Sequence, residues 1–106
     1  MKPETGQIME EACDNPLKII AGLPMYNEEE TIGTVIVNVL EHVDEVICVD
    51  DGSSDSSARI AEACGAEVHR HRVNRGYGGA LKTLFAKARE SEADCLVILD
   101  SDGQHD

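Results

Sequence analysis

The sequence predicts an α/β domain of the doubly wound class, with a mainly parallel four-stranded sheet and helices on both of its faces. Short apolar runs alternate with segments of helical spacing, which is typical of a parallel sheet. The last run, LVIL at 96–99, is continuously apolar, as a strand covered on both faces requires. The 106 residues suffice for one hydrophobic core.

Four strands and three helices follow from this alternation. The strands are predicted at 18–23, 45–50, 66–71 and 95–100. The stripe of the first helix consists of Ile32, Val35, Ile36, Val39 and Leu40. The second, shorter helix is marked by Ile60, Ala61 and Cys64, with Gly65 as its C-cap. The stripe of the third helix consists of Leu81, Leu84, Phe85 and Ala88. The predicted order is β-α-β-α-β-α-β.

Composition excludes several classes of function. The formal net charge is −12, with 21 acidic and 9 basic residues, which argues against a nucleic-acid partner or an anionic membrane surface. No apolar run approaches the roughly 20 residues of a membrane span, and residues 1–16 lack the apolar segment of a signal peptide. We expect a soluble, cytoplasmic chain in which 1–16 form a flexible or partly helical tail. Cys48 and Cys95 lie in apolar runs, as buried cysteines of a reducing compartment do.

The unusual residues follow the predicted strands. The four segments are PMYNEEE at 24–30, DDGSSDSS at 50–57, VNRGYGGA at 73–80 and DSDGQHD at 100–106. Right-handed crossovers bring the carboxyl ends of parallel strands to one edge of the sheet, where doubly wound folds bind ligands. We therefore expect one site built from four loops.

The acidic side chains at this edge predict a bound cation. Asp50, Asp51, Asp100 and Asp102 would lie close together, and two like charges about 4 Å apart repel by roughly 4 kcal/mol at an effective dielectric near 20. Raised pKa values, a basic neighbour or a bound cation could offset the repulsion. We favour Mg²⁺ or Mn²⁺, because Asp100, Asp102 and Gln104 offer hard oxygen ligands.

Individual residues of the first two loops have separate interpretations. Asp50 stands where an acid commonly meets a ribose hydroxyl or a base N–H. Ordinary helix capping is the favoured interpretation of Ser53 or Ser54, with Asp55 in the first turn of the helix. Tyr26 is interpreted as a platform for a flat ring, because the chain has only two tyrosines.

The third loop does not have the spacing G-x-G-x-x-G, so a dinucleotide fingerprint is excluded. Two interpretations of its glycines stay open: a helix start whose N–H groups face phosphate oxygens, or a flexible loop. Arg75 is expected to pair with a diphosphate. His69, His71 and His105 have no metal-type pairing and are expected at the surface or at strand edges.

The segments PMYNEE, VDDGSSD, NRGYGGALKT and LDSDGQHD, in this order and spacing, resemble the family 2 glycosyltransferases of GT-A fold, especially the dolichyl-phosphate mannosyltransferase-like members. The resemblance covers 18–106. It implies that Pro24, Tyr26 and Glu28 hold the nucleoside of a nucleotide-diphosphate sugar. It also implies that Asp50 or Asp51 bonds the base and that Arg75 lies by the diphosphate. The other residues assigned to the nucleotide site are Asn27, Gly52, Gly76, Asp100 and Ser101.

In the same resemblance, Asp100, Ser101 and Asp102 form the D-x-D element. Asp102 is the catalytic candidate, and the metal ligands are Asp100, Asp102 and Gln104. Met25 and Ser101 stand where such proteins often have alanine. The implied reaction is inverting, metal-dependent transfer of a sugar from UDP-sugar or GDP-sugar to a polyprenyl or dolichyl phosphate or to a glycan. The full-length parent is expected at the cytoplasmic face of a membrane.

Family members continue for at least another hundred residues or so beyond DGQHD. Residues 17–106 are therefore interpreted as a donor-binding part truncated at its C-terminus, with little activity by itself. An open sheet edge would permit a homodimer. The alternative is a receiver-like signalling module that binds Mg²⁺. In such a module an acid pair follows the first strand and a phosphorylated Asp follows the third. Here PMYNEE follows the first strand and no Asp follows the third.

Overall fold

A computed structural model describes residues 17–100 as an α/β unit with all strands parallel. The strands are β1 (Ile19–Met25), β2 (Glu45–Asp50), β3 (Glu67–Arg70) and β4 (Cys95–Ile98), and the helices are α1 (Ile32–Leu40), α2 (Ser57–Ala63) and α3 (Gly76–Glu90). The sheet order is β3-β2-β1-β4. The doubly wound fold class is confirmed, because the chain order reverses between β1 and β4.

Two hydrophobic clusters cover opposite faces of the sheet. Alternate residues of β1 and β2 face α1 and α2, where Ile32 and Ile36 are fully buried. The cluster on this face includes Ala21, Leu23, Met25, Val46, Cys48, Ala58 and Ala61. The intervening strand residues meet α3 on the other face, in a cluster of Ile20, Ile47, Val49, Ala80 and Leu84. Helices therefore lie on both faces, as predicted.

Gly22 in the middle of β1 allows α3 to approach the sheet closely. A Cβ atom at this position would lie 3.1 Å from Leu84 Cδ2 and 3.2 Å from Ile98 Cδ1. The absence of a side chain at residue 22 therefore leaves the space that Leu84 and Ile98 fill.

The bounds of three strands differ from the prediction. β1 extends to Met25, whereas β3 ends at Arg70 and β4 at Ile98. Cys95 is exposed and Val97 is 38% exposed, so β4 is not covered on both faces. The reason is its position: α1 and α2 pack over β1, β2 and β3, and β4 lies beyond them at the edge.

The stripe predicted for α3 is wrong at one position. Its buried residues are Ala80, Leu84 and Ala88, spaced four apart, whereas Phe85 is 51% exposed. One residue corresponds to about 100° around a helix, which rotates Phe85 away from the sheet. Within 17–100, no helix is long and apolar enough to cross a membrane.

The predicted tail at 1–16 lies outside the described residues, and so does His105.

Candidate functional site

A cavity of about 300 Å³ opens at the carboxyl ends of β1, β2 and β4. Two chain segments, 24–28 and 74–80, form it together with Asp51 and Asp100, so that residues at or after each of the four strand ends contribute. The lining residues are Pro24, Met25, Tyr26, Glu28, Asp51, Asn74, Gly76, Tyr77, Ala80 and Asp100. Six of these were predicted for the nucleotide site: Pro24, Tyr26, Glu28, Asp51, Gly76 and Asp100.

Among the described residues, four that were predicted for the site do not line this cavity: Asn27, Asp50, Gly52 and Arg75. Gly52 instead lines a neighbouring cavity of about 280 Å³. Ser101, Asp102 and Gln104 lie outside the described residues, so their predicted roles stay predictions. The loops after the strands converge, but not every predicted residue within 17–100 lines the cavity.

Asp51 follows β2 and holds the start of α3. Its Oδ1 accepts hydrogen bonds from the Arg75 N–H at 2.8 Å and from His71 Nδ1 at 2.8 Å. Its Oδ2 accepts one from the Gly76 N–H at 2.8 Å. The first N–H groups of α3 therefore already have a carboxylate partner, so the interpretation in which they are free to face phosphate oxygens is wrong for Gly76 and Arg75.

The surroundings of Asp51 favour its ionised form. Burial acts to raise the pKa of the carboxyl group, but the hydrogen bonds from the Arg75 N–H, from His71 and from the Gly76 N–H outweigh it. The pKa of Asp51 therefore lies below its ordinary value of 3.8. An anionic, fixed acceptor thus lines the cavity near neutral pH.

Asp50 is fully buried and does not line the cavity. It is the direct cross-strand neighbour of Arg70, and Arg70 Nε lies 3.1 Å from Asp50 Oδ2. This contact lacks hydrogen-bond alignment, so Oδ2 has no hydrogen-bond partner among the described residues. Oδ1 accepts the Ser53 N–H at 3.0 Å.

The mutual repulsion of the acids is therefore relieved differently than predicted. Arg70 is the positively charged partner of Asp50, and His71 and two backbone N–H groups donate hydrogen bonds to Asp51. No cation is required between these two carboxylates. Among the described acids, the expectation of a metal now rests on Asp100.

The loop after β1 is fastened to the loop after β2. Ser53 Oγ accepts the Asn27 N–H at 2.8 Å, and Asn27 Oδ1 accepts the Ser54 N–H at 2.9 Å. Ser57 Oγ accepts the Glu28 N–H at 2.7 Å. Asn27 has a positive φ of 53°, which asparagine tolerates better than most residues. These contacts place Tyr26 and Glu28 at the cavity.

The capping predictions for this region are wrong in detail. α2 starts at Ser57, and its N-cap Ser56 makes no side-chain cap hydrogen bond. Asp55 precedes the helix and accepts the Ser57 N–H at 2.9 Å and the Ser57 hydroxyl at 2.6 Å. Desolvation acts to raise the pKa of Asp55, but the hydrogen bonds from Ser57 lower it overall. The hydroxyls of Ser53 and Ser54 contact Asn27 instead of capping the helix.

Two residues at the site, His71 and Tyr77, were not predicted from the sequence. His71 was expected at the surface or at a strand edge; it directly follows β3, is 7% exposed and lies between Asp51 and Thr83. Its partners are distant in sequence, so no local pattern shows the contact. Tyr77 is 61% exposed and lines the cavity with Tyr26. The scarcity of tyrosine that drew attention to Tyr26 applies equally to Tyr77.

Among the described residues of the cavity, Asp100 provides a carboxylate ligand that suits a hard divalent cation. Asp100 follows β4, is exposed and lines the cavity, so its carboxylate is open to an ion there. The other predicted ligands, Asp102 and Gln104, lie outside the described residues. Within 17–100, no group of three or more His, Cys, Asp or Glu side chains is arranged around a metal position.

The family model for glycosyl transferase family 2 matches residues 20–106. The chain belongs to this family. The glycosyltransferase resemblance is thereby confirmed, and the signalling-module alternative is not supported. The end of β3 agrees, because His71 and Arg72 follow it and no Asp does.

Two relatives of this chain are named as transferases that use a polyprenyl phosphate. The UDP-N-acetylglucosamine–dolichyl-phosphate N-acetylglucosaminyltransferase of Methanococcus voltae is 37% identical over 101 residues, covering 78% of this chain and 40% of that protein. The undecaprenyl-phosphate 4-deoxy-4-formamido-L-arabinose transferase of Shewanella sediminis is 34% identical over 93 residues, covering 78% of this chain and 28% of that protein. The chain thus spans less than half the length of these relatives.

A solved structure shares the fold. The glucosyl-3-phosphoglycerate synthase of Mycobacterium tuberculosis, in complex with Mn²⁺, UDP and glucosyl-3-phosphoglycerate, has a TM-score of 0.68 and 33% sequence identity. The match covers 86% of this chain and 36% of that chain.

Proposed function

We propose that this chain forms the donor-binding part of a glycosyltransferase that uses a UDP-sugar or GDP-sugar and a divalent cation. One observation carries the proposal: a single cavity at the carboxyl ends of the strands is lined by Tyr26, Asp51 and Asp100. Tyr26 suits the flat base of the nucleotide, Asp51 suits the N–H donors of that base, and Asp100 suits a metal-bound diphosphate.

Tyr26 and Asp51 are the proposed recognition residues for the nucleoside. The Tyr26 side chain is 50% exposed at the cavity, so its ring is available for stacking on a base. An ionised carboxylate has about four acceptor sites, and Asp51 uses three of them for Arg75, Gly76 and His71. The remaining site can accept an N–H of the base. Pro24 and Glu28 complete the wall.

The diphosphate requires positive charge in a cavity that Glu28, Asp51 and Asp100 make acidic. Asp100, with Asp102 and Gln104, would hold Mg²⁺ or Mn²⁺, which offsets the charge of the diphosphate and stabilises it as it leaves. Asp102 is proposed as the catalytic member of this set. Arg75 is exposed next to Gly76, and we propose that its guanidinium turns toward the diphosphate.

The proposed reaction is inverting displacement at the anomeric carbon of the donor sugar. The acceptor oxygen attacks this carbon while the bond to the nucleoside diphosphate breaks. The residues of this chain bind and orient the donor and stabilise the departing charge, which is the electrostatic contribution typical of such sites. A diphosphate is a good leaving group, so proton donation to it is unnecessary.

The proposed acceptor is a polyprenyl or dolichyl phosphate or a glycan. Support for a phosphate-bearing acceptor comes from the relatives named for dolichyl and undecaprenyl phosphate. The proposed location is the cytoplasmic face of a membrane, where such a lipid carrier would meet a nucleotide sugar.

Calorimetric titration with UDP and with GDP, each with and without Mn²⁺, tests the proposal. We expect binding of one of the two nucleotides that strengthens at least tenfold when Mn²⁺ is present. The matched variants are Asp100→Asn, which should remove the metal dependence, and Asp94→Asn, which changes an acid at the other end of β4. Equal affinity with and without Mn²⁺ in the full-length protein would contradict the proposal.

A further inference from the structure

A chain of hydrogen bonds runs beneath the cavity wall from α3 to the loop that precedes it. The His71 ring lies between Asp51 and Thr83, with Nδ1 2.8 Å from Asp51 Oδ1 and Nε2 2.8 Å from Thr83 Oγ1. Asp51 in turn accepts the backbone N–H groups of Arg75 and Gly76. These hydrogen bonds thus connect Thr83 within α3 to Arg75 and Gly76 at the start of the same helix. The connection runs through His71, which follows β3, and Asp51, which follows β2.

The direction of these hydrogen bonds follows from the chemistry of the groups. Asp51 is ionised and can only accept, so His71 Nδ1 must carry a proton toward it. A ring with its single proton on Nδ1 has a lone pair on Nε2, so the Thr83 hydroxyl donates to Nε2 at 2.8 Å; Thr83 Oγ1 also lies 3.3 Å from the Gly79 carbonyl oxygen. The imidazole is therefore fixed at both nitrogens, and its plane cannot turn freely.

Two members of this series of hydrogen bonds are buried, which distinguishes the series from a surface contact. Asp51 is 5% exposed and His71 is 7% exposed, so water competes little for their hydrogen bonds. Asp51 lines the main cavity, as do Asn74, Gly76 and Tyr77, whereas His71 does not. His71 is therefore connected to the wall of the main cavity through Asp51 and Thr83.

We propose that His71 and Thr83 are positioning residues for the cavity wall formed by residues 74–77. His71 orients the Asp51 carboxylate, and Asp51 fixes the backbone of Arg75 and Gly76, which places Asn74 and Tyr77 at the cavity. This inference deepens the proposed function, because the wall that His71 and Thr83 position belongs to the proposed donor site. The positioning itself is measurable without any ligand.

The test uses amide hydrogen exchange at Arg75 and Gly76 in the full chain, together with titration of UDP and GDP in the presence of Mg²⁺. Thr83→Val keeps the shape of the side chain but removes the hydroxyl, and His71→Gln cannot reach both partners. We expect either variant to speed exchange of the two amides about fivefold to tenfold, since one hydrogen bond contributes about 1 kcal/mol and 1.4 kcal/mol is a factor of ten. Nucleotide affinity should fall by a similar factor.

Two controls separate positioning from general stability. Thr83→Ser retains the hydroxyl and should restore both exchange and affinity. Ile36→Val destabilises the core beneath α1. In this variant, hydrogen exchange at Arg75 and Gly76 should be no faster than at neighbouring amides, and the nucleotide affinity should be unchanged. If His71→Gln does not fold, Thr83→Val still decides.

The outcomes also separate this inference from the proposed function. Unchanged exchange at Arg75 and Gly76 in Thr83→Val would overturn the positioning role. Faster exchange in a protein whose wild type binds neither nucleotide would support the positioning role and count against the proposed function. Faster exchange without any loss of affinity, in a protein that binds, would overturn the part of the inference that concerns the donor site.

Discussion

Asp51 shows how one residue links the fold to the site. Its carboxylate accepts two backbone N–H groups at the start of α3 and a ring nitrogen of His71, and it also lines the cavity. The adjacent Asp50 has the same chemistry but is buried against Arg70. The two neighbouring acids thus have different tasks because one lies in the sheet and the other beyond its end.

Asp51→Asn should destabilise the fold by about 1–3 kcal/mol at pH 7, because the amide brings N–H donors next to other donors. The folded-state pKa of Asp51 is lowered, so the stabilisation is fully present above the unfolded value near 3.8 and is lost as pH falls through the folded pKa. Urea unfolding at pH 7 and at about pH 3 measures it. The difference between wild type and variant should shrink at the lower pH.

Glu62→Gln is the control, because Glu62 is an exposed carboxylate on α2. It should change stability by less than about 0.5 kcal/mol at either pH. A stability difference for Asp51→Asn that grows on acidification would show that the carboxylate is not held in its ionised form.

Residue types at the site were predictable from the sequence, whereas their orientation was not. A Tyr or an Asp directly after an apolar strand is expected at the edge where ligands bind, and Tyr26 and Asp100 lie there. The choice between Asp50 and Asp51 was left open, because it depends on where the strand ends. The role of His71 depends on Asp51 and Thr83, 20 and 12 positions away, and no local spacing encodes it.

At the scale of elements, the site depends on two loops fastened to one another. The backbone of Asn27 and Glu28 after β1 donates to the hydroxyls of Ser53 and Ser57 before and within α2. The first loop therefore takes its shape from the second.

Ser57→Ala should lower the free energy of unfolding by about 1–3 kcal/mol, because the Glu28 N–H loses its acceptor and Asp55 loses a donor. Ser57 is fully buried, so water does not easily replace the hydroxyl. Ser54→Ala is the matched control, since Ser54 is exposed and its hydroxyl makes only a 3.5 Å contact. Chemical denaturation of both variants checks this, and equal effects would show that the Ser57 hydroxyl is unimportant.

The start of α3 gives a second test at this scale. Gly76 has a φ of +82° and Gly78 does not have a positive φ, yet an added Cβ at either residue would meet nothing within 4 Å. Gly76→Ala should therefore destabilise by about 1–2 kcal/mol through backbone strain alone. Gly78→Ala should stabilise by about 0.4–1 kcal/mol. Thermal unfolding of the pair measures the contrast, and shifts in the same direction would rule out the backbone explanation.

The elements themselves were largely predictable, because alternation of apolar runs and helical stripes is a local signal. The prediction failed where tertiary packing decides. Phe85 carries an apolar side chain within the pattern but points away from the sheet, and Cys95 is exposed because β4 lies at the sheet edge. The sheet order β3-β2-β1-β4 explains the exposure of Cys95, and the rotation of about 100° per residue around α3 explains that of Phe85.

At the scale of the whole molecule, the described sheet has β4 at one edge and β3 at the other. The sequence of β4 is CLVI, with Val97 38% exposed, whereas β3 is EVHR. Charged residues protect an edge against pairing, and β4 has none.

We predict that the chain self-associates through the β4 edge. Light scattering across a concentration series should show a dimer that Val97→Lys shifts toward monomer, because a lysine in an edge strand opposes pairing. Val37→Lys is the control, since Val37 is an exposed valine on α1. A wild-type chain that remains monomeric at high concentration would contradict the prediction.

The central claim is that the cavity at the carboxyl ends of the strands binds a nucleoside diphosphate with a divalent cation. An NMR titration of the ¹⁵N-labelled chain with UDP and Mg²⁺, repeated with GDP, tests it most directly. We predict that one nucleotide shifts the amide signals of residues 25–28, 51, 74–77 and 100 together, and more strongly with Mg²⁺. Shifts confined to the opposite end of the sheet, or none with either nucleotide, would contradict the claim.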